Sequence, residues 1–560
     1  MTPQPAMSED LRRATAAAEA GRFAEAEADC AAILAADSAD AGALALSGAL
    51  AARRGDLPVA ISRYRAALAV APGFVKALSN LGAALCGLQR FAEAEEPLTR
   101  ALAEDPAHGP SLINLGQLRL RQNRAEEAIV LLGRAVAATP ADAMAWNNLG
   151  AAYLRGERLA EAHEALAQAA ALDPASAAAW SNLGAVAFRL GRHDDAVAAL
   201  RAALAHGAPP AEATTHLGNA LRGLGRDAEA LAAHERALAL KPELHEACFN
   251  RALLLLGQGR FAEGWNDYRA RPSGREFRAR CKLADTPRLA AEMGGQTVLL
   301  LTNLGFGDEL FFLRFAPDLK RRGAKIVYRA GAKIAPLARQ IAELDGVLGP
   351  DDDAPAADVT LLIDDLPYAL GAPDSVAATP PPVSLHPDRE RLERLRARLA
   401  AHGPPPYLGV TWRGGLDRHG SLFKQAPRDA VAKAVGAWPG TLLSLQRAPA
   451  AGETDAFAAE AGRAAHDLAA LNDDLVDMLA LLALLDDYVA VSNTNVHLRH
   501  SLGLPSRVMV PMPPDWRWMN EADESPWFPG SRVYRQAADG DWREALASLS
   551  RDVLSRQSRG

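Results

Sequence analysis

Six glycines, Gly48, Gly82, Gly116, Gly150, Gly184 and Gly218, stand 34 residues apart. No other feature constrains the fold as strongly. Leu81, Leu115, Leu149, Leu183 and Leu217 precede five of them, and Ala94, Ala128, Ala162, Ala196 and Ala230 share a second register. Pro72, Pro106, Pro140, Pro174 and Pro242 fall on the same period, and Trp146 matches Trp180. A period of this length is one helical hairpin, a unit too small to bury its apolar face unless it stacks on its neighbours. Gly and the phased Ala let the two helices of a hairpin cross closely. Pro stops the second helix because it lacks an N–H and clashes with the preceding turn. The register gives hairpins at 7–40, 41–74, 75–108, 109–142, 143–176, 177–210, 211–244 and 245–278, with the first and last degenerate as end caps.

This pattern resembles the tetratricopeptide repeat (TPR), and it predicts an α-solenoid over residues 1–278. Asn80, Asn114, Asn148, Asn182 and Asn250 lie two residues before the phased glycine or its equivalent, with His216 at that place in the remaining repeat. The position lies on the first helix of each hairpin, facing the concave surface. An amide both donates and accepts, so a ladder of them can hold an extended peptide backbone without reading its sequence. In this the ladder is similar to the superhelix of O-linked N-acetylglucosamine transferase, whose asparagines hold acceptor polypeptides. The alternative is that each Asn bonds the neighbouring hairpin.

The 560 residues exceed one ordinary core. Apolar residues at 49% and charged residues at 23% suit a globular chain rather than a disordered one. A net charge of −7 argues against a nucleic-acid partner, which calls for a basic stripe. Cys30, Cys86, Cys248 and Cys281 are scattered with no C-x-x-C pair, the usage of free thiols in a reducing compartment. The N-terminus has Glu9 and Asp10 where a signal peptide would be basic and then apolar, and Leu475 to Val491 is broken by Asp477, Asp486 and Asp487. The expectation is a cytoplasmic protein with no membrane insertion.

At the end of the repeats, Trp265 and Tyr268 lie three apart on one helical face, suited to pack on a following domain. Residues 279–295 read as a connector. Short apolar strands then alternate with helices, implying parallel sheets covered on both faces. Strands over Thr297–Thr302, Lys325–Tyr328 and Asp358–Ile363 define a first Rossmann-like half at 296–385. Residues 386–406, bounded by Pro380–Pro382 and Pro404–Pro406, read as a hinge around a charged helix. Strands over Tyr407–Trp412, Thr441–Leu445, Tyr488–Ser492 and Arg507–Val510 define a second half at 407–560. Ligands of such folds sit at the carboxyl ends of the strands.

Gly305-Phe-Gly-Asp308, Trp412-Arg-Gly-Gly415, Ser444-Leu-Gln446, Ser492 to His497 and Pro514-Asp-Trp-Arg-Trp518 occur in an order that resembles TPR-linked relatives of the heptosyltransferases. The resemblance covers roughly residues 255–550 and implies an α/β module of GT-B type, acting without a metal or resident cofactor on a nucleotide-activated sugar. With the repeats, it implies a protein glycosyltransferase whose TPR arm recruits a polypeptide, flagellin being one acceptor of this architecture. The rival reading is a non-catalytic interaction scaffold with a degenerate glycosyltransferase-like domain.

The resemblance makes Asp308 the base that takes the proton of the acceptor hydroxyl, with Glu309 a second candidate. Helix capping is the alternative role for Asp308. Gly305 and Gly307 shape the turn. Arg413, Lys424 and Arg418 would neutralise the donor phosphates, and Trp412 flanks them. Asn493, Thr494, Asn495 and His497 open a helix whose N-terminal amides suit an anion. Relatives commonly carry Asp where Asn493 stands. Gln446 would contact the base, and Asp515, Trp516, Arg517 and Trp518 would shape the cleft.

Overall fold

The structure, a computed structural model, describes residues 8–371, 373–414 and 424–555. It divides into two compact units, Met1–Ala220 and Leu221–Gly560. The first holds six helical hairpins: α1 (Glu9–Glu19) with α2 (Phe23–Ala36), α3 (Ala41–Arg53) with α4 (Leu57–Val70), α5 (Val75–Gly87) with α6 (Phe91–Glu104), α7 (Gly109–Arg121) with α8 (Ala125–Ala138), α9 (Ala143–Arg155) with α10 (Leu159–Leu172), and α11 (Ala177–Arg189) with α12 (His193–Ala205). Helix α13 (Pro210–Gly223) carries the division. Helices α14 (Asp227–Leu240), α15 (His245–Gly257), α16 (Phe261–Tyr268) and α17 (Pro272–Cys281) belong to the second unit.

The phased glycines sit where the helices of a hairpin touch. A Cβ on Gly82 would lie 2.4 Å from Leu98, on Gly116 2.7 Å from Leu132, on Gly150 2.4 Å from Leu166 and on Gly184 2.6 Å from Leu200. Each leucine lies 16 residues on and is fully buried. The phased prolines follow helix ends: Pro106 comes two residues after Glu104, and Pro174 two after Leu172. A second recurring device opens the second helices. Arg22, Arg90, Arg124, Arg158, Arg226 and Arg260 are N-cap residues, ion-paired with a glutamate three residues on at 2.6–2.9 Å. The glutamate also sits favourably in the positive first turn.

The second unit contains two parallel sheets. Strands β1 (Thr297–Leu301), β2 (Lys325–Arg329), β3 (Gly346–Leu348) and β4 (Val359–Leu362) form the order β3-β2-β1-β4. Helices α18 (Phe306–Leu313), α19 (Ala316–Arg321), α20 (Ala335–Ala338) and α21 (Leu366–Leu370) belong to this half. Helix α22 (Arg389–His402) follows. Strands β5 (Tyr407–Thr411), β6 (Thr441–Ser444), β7 (Ala465–Asp467), β8 (Asp487–Val491), β9 (Arg507–Val510) and β10 (Arg532–Arg535) form the order β10-β9-β8-β5-β6-β7, with α23 (Arg428–Val435), α24 (Glu453–Ala461), α25 (Leu475–Leu484), α26 (Thr494–Ser501) and α27 (Arg543–Ser555). The short strands β3, β7 and β10 lie outside the sequence-derived set.

The division into compact units does not fall at the end of the helical hairpins. The compact units part at 220/221, and the eighth hairpin shares the core of the α/β module. Ala252, Leu256, Phe261, Trp265 and Tyr268 join Phe311, Phe312, Phe315, Trp516 and Trp527 in one buried cluster. Trp265 meets Trp516 edge-on at 5.2 Å, and Phe261 lies 5.0 Å from Trp527. Asn520 donates its backbone N–H to the Gly257 carbonyl at 3.0 Å. The charged helix expected between the two halves is α22, laid on α25 by Leu395 and Leu399 and by Arg391, which pairs with Asp474 at 2.5 Å and Asp477 at 2.8 Å.

A buried ion network adds to this core. Arg271, at the N-cap of α17, pairs with Asp364 and Asp365 just after β4, each at 2.5 Å, and Arg278 reaches Asp365 at 2.8 Å. Arg271 and its two aspartates are each at most 2% exposed. Gly274 leaves room for the guanidinium, since a Cβ there would lie 2.8 Å from its carbon.

Candidate functional site

A cavity of about 610 Å³ opens at the carboxyl ends of β1, β5, β6 and β8, between the two sheets of the second unit. From the first half come Leu304 to Asp308. From the second come Thr411, Arg413, Gly414, Lys424, Leu445, Arg447, Asn472 and the run Ser492–Asn495 with His497. The N-termini of α18 and α26 meet here, and glycine is required at the crossing. A Cβ on Gly307 would stand 3.0 Å from the His497 ring and 3.3 Å from Thr494 Cα.

Asp308 lies in the first turn of α18 without capping it: Gly305 is the N-cap, and no side chain supplies a cap bond. One carboxylate oxygen of Asp308 accepts from Arg517 at 2.6 Å while the side chain stays 41% exposed. Arg517 is held in turn by Asp515 at 3.0 Å, and Asp515 accepts from Lys424 at 3.1 Å. A chain of four alternating charges thus runs from the first half to the second. Burial alone would raise the Asp515 carboxyl; Arg517 and Lys424 outweigh it and hold it below the usual range. Arg413 pairs with Glu453 at 3.1 Å.

Asn493 caps α26, its amide oxygen accepting from the Val496 N–H at 3.1 Å and its nitrogen donating to the Tyr488 hydroxyl at 3.2 Å. Asn caps as well as Asp, so the departure at this position preserves the helix start. Asn495 donates to Asn472 at 3.1 Å. His497 is 6% exposed, and its Nδ1 has no hydrogen-bond partner. Burial first, then the charges of Arg517, Arg314 and Lys424, hold its pKa well below the ordinary value, so the ring is neutral near pH 7.

Asp515, Trp516, Arg517 and Trp518 are buried and do not line the cavity, and neither do Trp412, Gln446 and Glu309. Trp412 is buried, stacks on Phe457 at 4.7 Å and donates its indole N–H to Glu453 at 2.9 Å. Gln446 is fully buried: it accepts from the backbone N–H groups of Trp412 (3.2 Å) and Arg413 (3.0 Å), and donates to the carbonyls of Arg413 (3.0 Å) and Arg447 (3.2 Å). It staples two strand ends and has no donor left for a base. Strand alternation explains both, since Thr411 and Arg413 face the cavity while Trp412 faces the core, and Leu445 and Arg447 flank Gln446 in the same way. Glu309 is buried and accepts from the Tyr328 hydroxyl. Arg418 and Gly415 lie outside the described residues. Arg447, Asn472 and Glu453 had no signal in the sequence beyond their nearness to strand ends.

Burial raises the Glu309 carboxyl to about 7, with Asp308 adding to the effect and the Tyr328 bond opposing it. A raised acid pKa favours the folded state below the unfolded pKa. That stability is lost as pH rises toward the folded value. Unfolding in urea should therefore show the second unit losing about 3 kcal/mol between pH 4.5 and 8 from this group. Glu309→Gln should remove that slope and be the more stable protein at pH 8; an unchanged slope would show the carboxyl ionises freely.

Along the repeats, Asn114 donates to Ser79 at 3.5 Å and Asn182 to Asn147 at 2.9 Å, each reaching the preceding hairpin. The Asn148 amide nitrogen has no partner, and Asn80 bonds Tyr64. Asn250, in the second unit, is half-buried. The ladder therefore serves inter-hairpin bonding at three rungs, Asn80, Asn114 and Asn182. Among the described residues no cluster of three His, Cys, Asp or Glu could hold a metal, and no helix is long and apolar enough to cross a membrane. The four cysteines are free thiols.

A family model for the Cilia and flagella-associated protein 70 C-terminal domain matches residues 75–270. Protein FlbA of Caulobacter vibrioides is 27% identical over 327 residues, 51% of each chain, so the chain spans about half the length of this curated relative. Among solved structures, PilF of Pseudomonas aeruginosa is 20% identical, covering 37% of this chain and 94% of its own, with a TM-score of 0.35. A thermophilic TPR protein of Thermus thermophilus, TTC0263, is 28% identical, covering 32% and 99%, with a TM-score of 0.28. YrrB, described as a TPR protein with an unusual peptide-binding site, is 21% identical, covering 32% and 92%, also at 0.28. The 34-residue register, the hairpins that follow it and the family match together support a tetratricopeptide-repeat solenoid in the N-terminal part of this chain, followed by an α/β module of two parallel sheets.

Proposed function

We propose that the C-terminal module transfers a sugar from a nucleotide-activated donor to a Ser or Thr hydroxyl of a polypeptide, such as flagellin, recruited by the repeats. The observation that carries this reading is the cavity itself. A carboxylate, Asp308, stands on one side, and the α26 N-terminus with three cations stands on the other. In this mechanism Asp308 accepts the proton of the acceptor hydroxyl as its oxygen bonds to the anomeric carbon. The bond from that carbon to the donor phosphate oxygen breaks, and the leaving phosphate is stabilised by the helix amides and the cations. His497, neutral, offers a hydrogen bond without adding charge. Neither step calls on a metal. The repeats supply the extended surface that TPR arms offer to protein partners.

Calorimetry with UDP, GDP, ADP and CMP tests this. One nucleotide should bind with micromolar affinity, and Thr494→Trp, which fills the cavity, should abolish it. Absence of binding by all four removes the donor site. A second reading then stands, an interaction scaffold with a degenerate module. It is favoured by one feature: Asp308, Arg413 and Lys424 already have protein partners. Under that reading a module-deleted chain of the first unit would still capture the polypeptide partner.

A further inference from the structure

Charge is segregated between the two helices of a hairpin. The first helices α3, α5, α7, α9 and α11 contain no Asp or Glu, and their cations are Arg53, Lys76, Arg119, Arg121, Arg155 and Arg189. The second helices α6, α8, α10 and α12 each carry at least two carboxylates. First helices of successive hairpins touch one another, α3 with α5, α5 with α7, α7 with α9 and α9 with α11, and so line the inner side of the stack. Arg53, Arg121, Arg155 and Arg189 are the last residues of their helices, in the 34-residue register, with Gly87 at that place in α5. Any helix C-terminus favours a cation. That does not account for the row, because the last turns of α4, α6, α8, α10 and α12 hold no basic residue. The cations follow the face. Arg119 is buried and pairs with Glu95 at 2.8 Å, and Arg189 pairs with Glu157. Arg53 lies over the Phe23 ring at 3.7 Å. Lys76, Arg121 and Arg155 are exposed, and among the described residues none has a carboxylate partner. Three amides of the same face, Asn80, Asn114 and Asn182, are engaged with neighbouring hairpins. What this face offers is therefore uncompensated positive charge, on a chain whose net charge is −7.

We propose that the inner face of the arm, from α3 to α11, selects an extended polypeptide segment rich in Asp and Glu. This rests on the reading of the repeats as the surface that recruits a polypeptide, and names the chemistry of that partner. Amides alone hold any backbone; a row of cations, one to a hairpin, adds a preference for side chains of one sign. The carboxylates of the second helices repel the same segment and confine it to the inner face. A nucleic acid fits less well. Its phosphates fall every ~3.4 Å along a strand and call for a continuous basic stripe, not one cation to a hairpin.

The test is fluorescence anisotropy on the full chain. The probes are labelled peptides of repeating Glu-Ser-Gly, Gln-Ser-Gly and Lys-Ser-Gly, long enough to span several hairpins. The Glu peptide should bind about tenfold tighter than the Gln peptide, and more tightly at low than at physiological salt. Arg121→Gln/Arg155→Gln should weaken it about fivefold. Arg63→Gln/Arg134→Gln, which removes the same charge from the second helices α4 and α8, should bind within about twofold of wild type. Arg121→Glu/Arg155→Glu should turn the preference toward the Lys peptide. Circular dichroism and urea midpoints check that each variant is folded. Equal affinity for the Glu and Gln peptides overturns the proposal, and so does an equal loss in the two Gln pairs. Tighter binding of a single-stranded oligothymidylate than of the Glu peptide also overturns it. Arg121- and Arg155-dependent acid preference without nucleotide binding leaves the acidic partner standing and removes the glycosyl-transfer reading. Sugar transfer that is as fast onto acid-free as onto acid-rich Ser/Thr peptides, and indifferent to Arg121→Gln/Arg155→Gln, does the reverse.

Discussion

Arg271→Met should cost the second unit about 3–5 kcal/mol, the expected penalty for stripping one partner from a buried ion cluster. Asp364 has no other cation within bonding distance among the described residues, whereas Asp365 keeps Arg278 and Thr286. Burial pushes the Asp364 carboxyl up even with Arg271 present. Without it the group protonates more readily, so the deficit should shrink as pH falls toward 4. The double variant Arg271→Met/Asp364→Leu should regain most of the loss, because a packed apolar pair avoids the desolvation of both ions. Urea unfolding at pH 7 and pH 5 reads all three quantities. A loss below about 1 kcal/mol would mean that water reaches the cluster.

The second large effect is chemical. If the cavity transfers sugar, Asp308→Asn should slow transfer about 10²–10⁴-fold, the usual worth of a positioned base. Asn retains the size of the side chain and can still accept from Arg517, so nucleotide affinity should stay within about threefold. Glu309→Gln should cost far less, because Glu309 faces Tyr328 rather than the cavity. Steady-state kinetics with a saturating donor separate the two. Equal losses at both positions would point to a structural role for the α18 first turn; an Asp308→Asn enzyme as fast as wild type would show that the base lies elsewhere.

The solenoid was legible because its constraint repeats. One glycine facing one leucine is ambiguous, but Gly82 with Leu98, Gly116 with Leu132, Gly150 with Leu166 and Gly184 with Leu200 are the same contact made four times. The long buried strands were legible as apolar runs. Strands β3, β7 and β10 were not: they are three or four residues long at or near sheet edges, and β7 reads Ala-His-Asp. In the cavity, sequence order located the strand ends and the two helix starts, but gave no direction for individual side chains. The resemblance points to Trp412 and Gln446, but each lies next to cavity residues just past a strand end, where alternation turns its side chain the opposite way. Arg447, which lines the cavity, stands directly after Gln446 and carries no motif of its own. Partnership was equally hidden, since Glu453 lies 40 residues from Arg413 and Asp515 lies 91 from Lys424.

The division at 220/221 bears on how such a chain can vary by inheritance. Within the first unit four successive hairpins are built around the same internal glycine–leucine crossing, so duplication or loss of a 34-residue block there changes the arm's length and leaves the cavity's residues intact. The eighth hairpin has lost that freedom. Phe261, Trp265 and Tyr268 are core residues of the α/β module, and the Gly257 carbonyl is bonded to Asn520. Lineages with different numbers of repeats should therefore differ ahead of residue 220 and agree in register from there on.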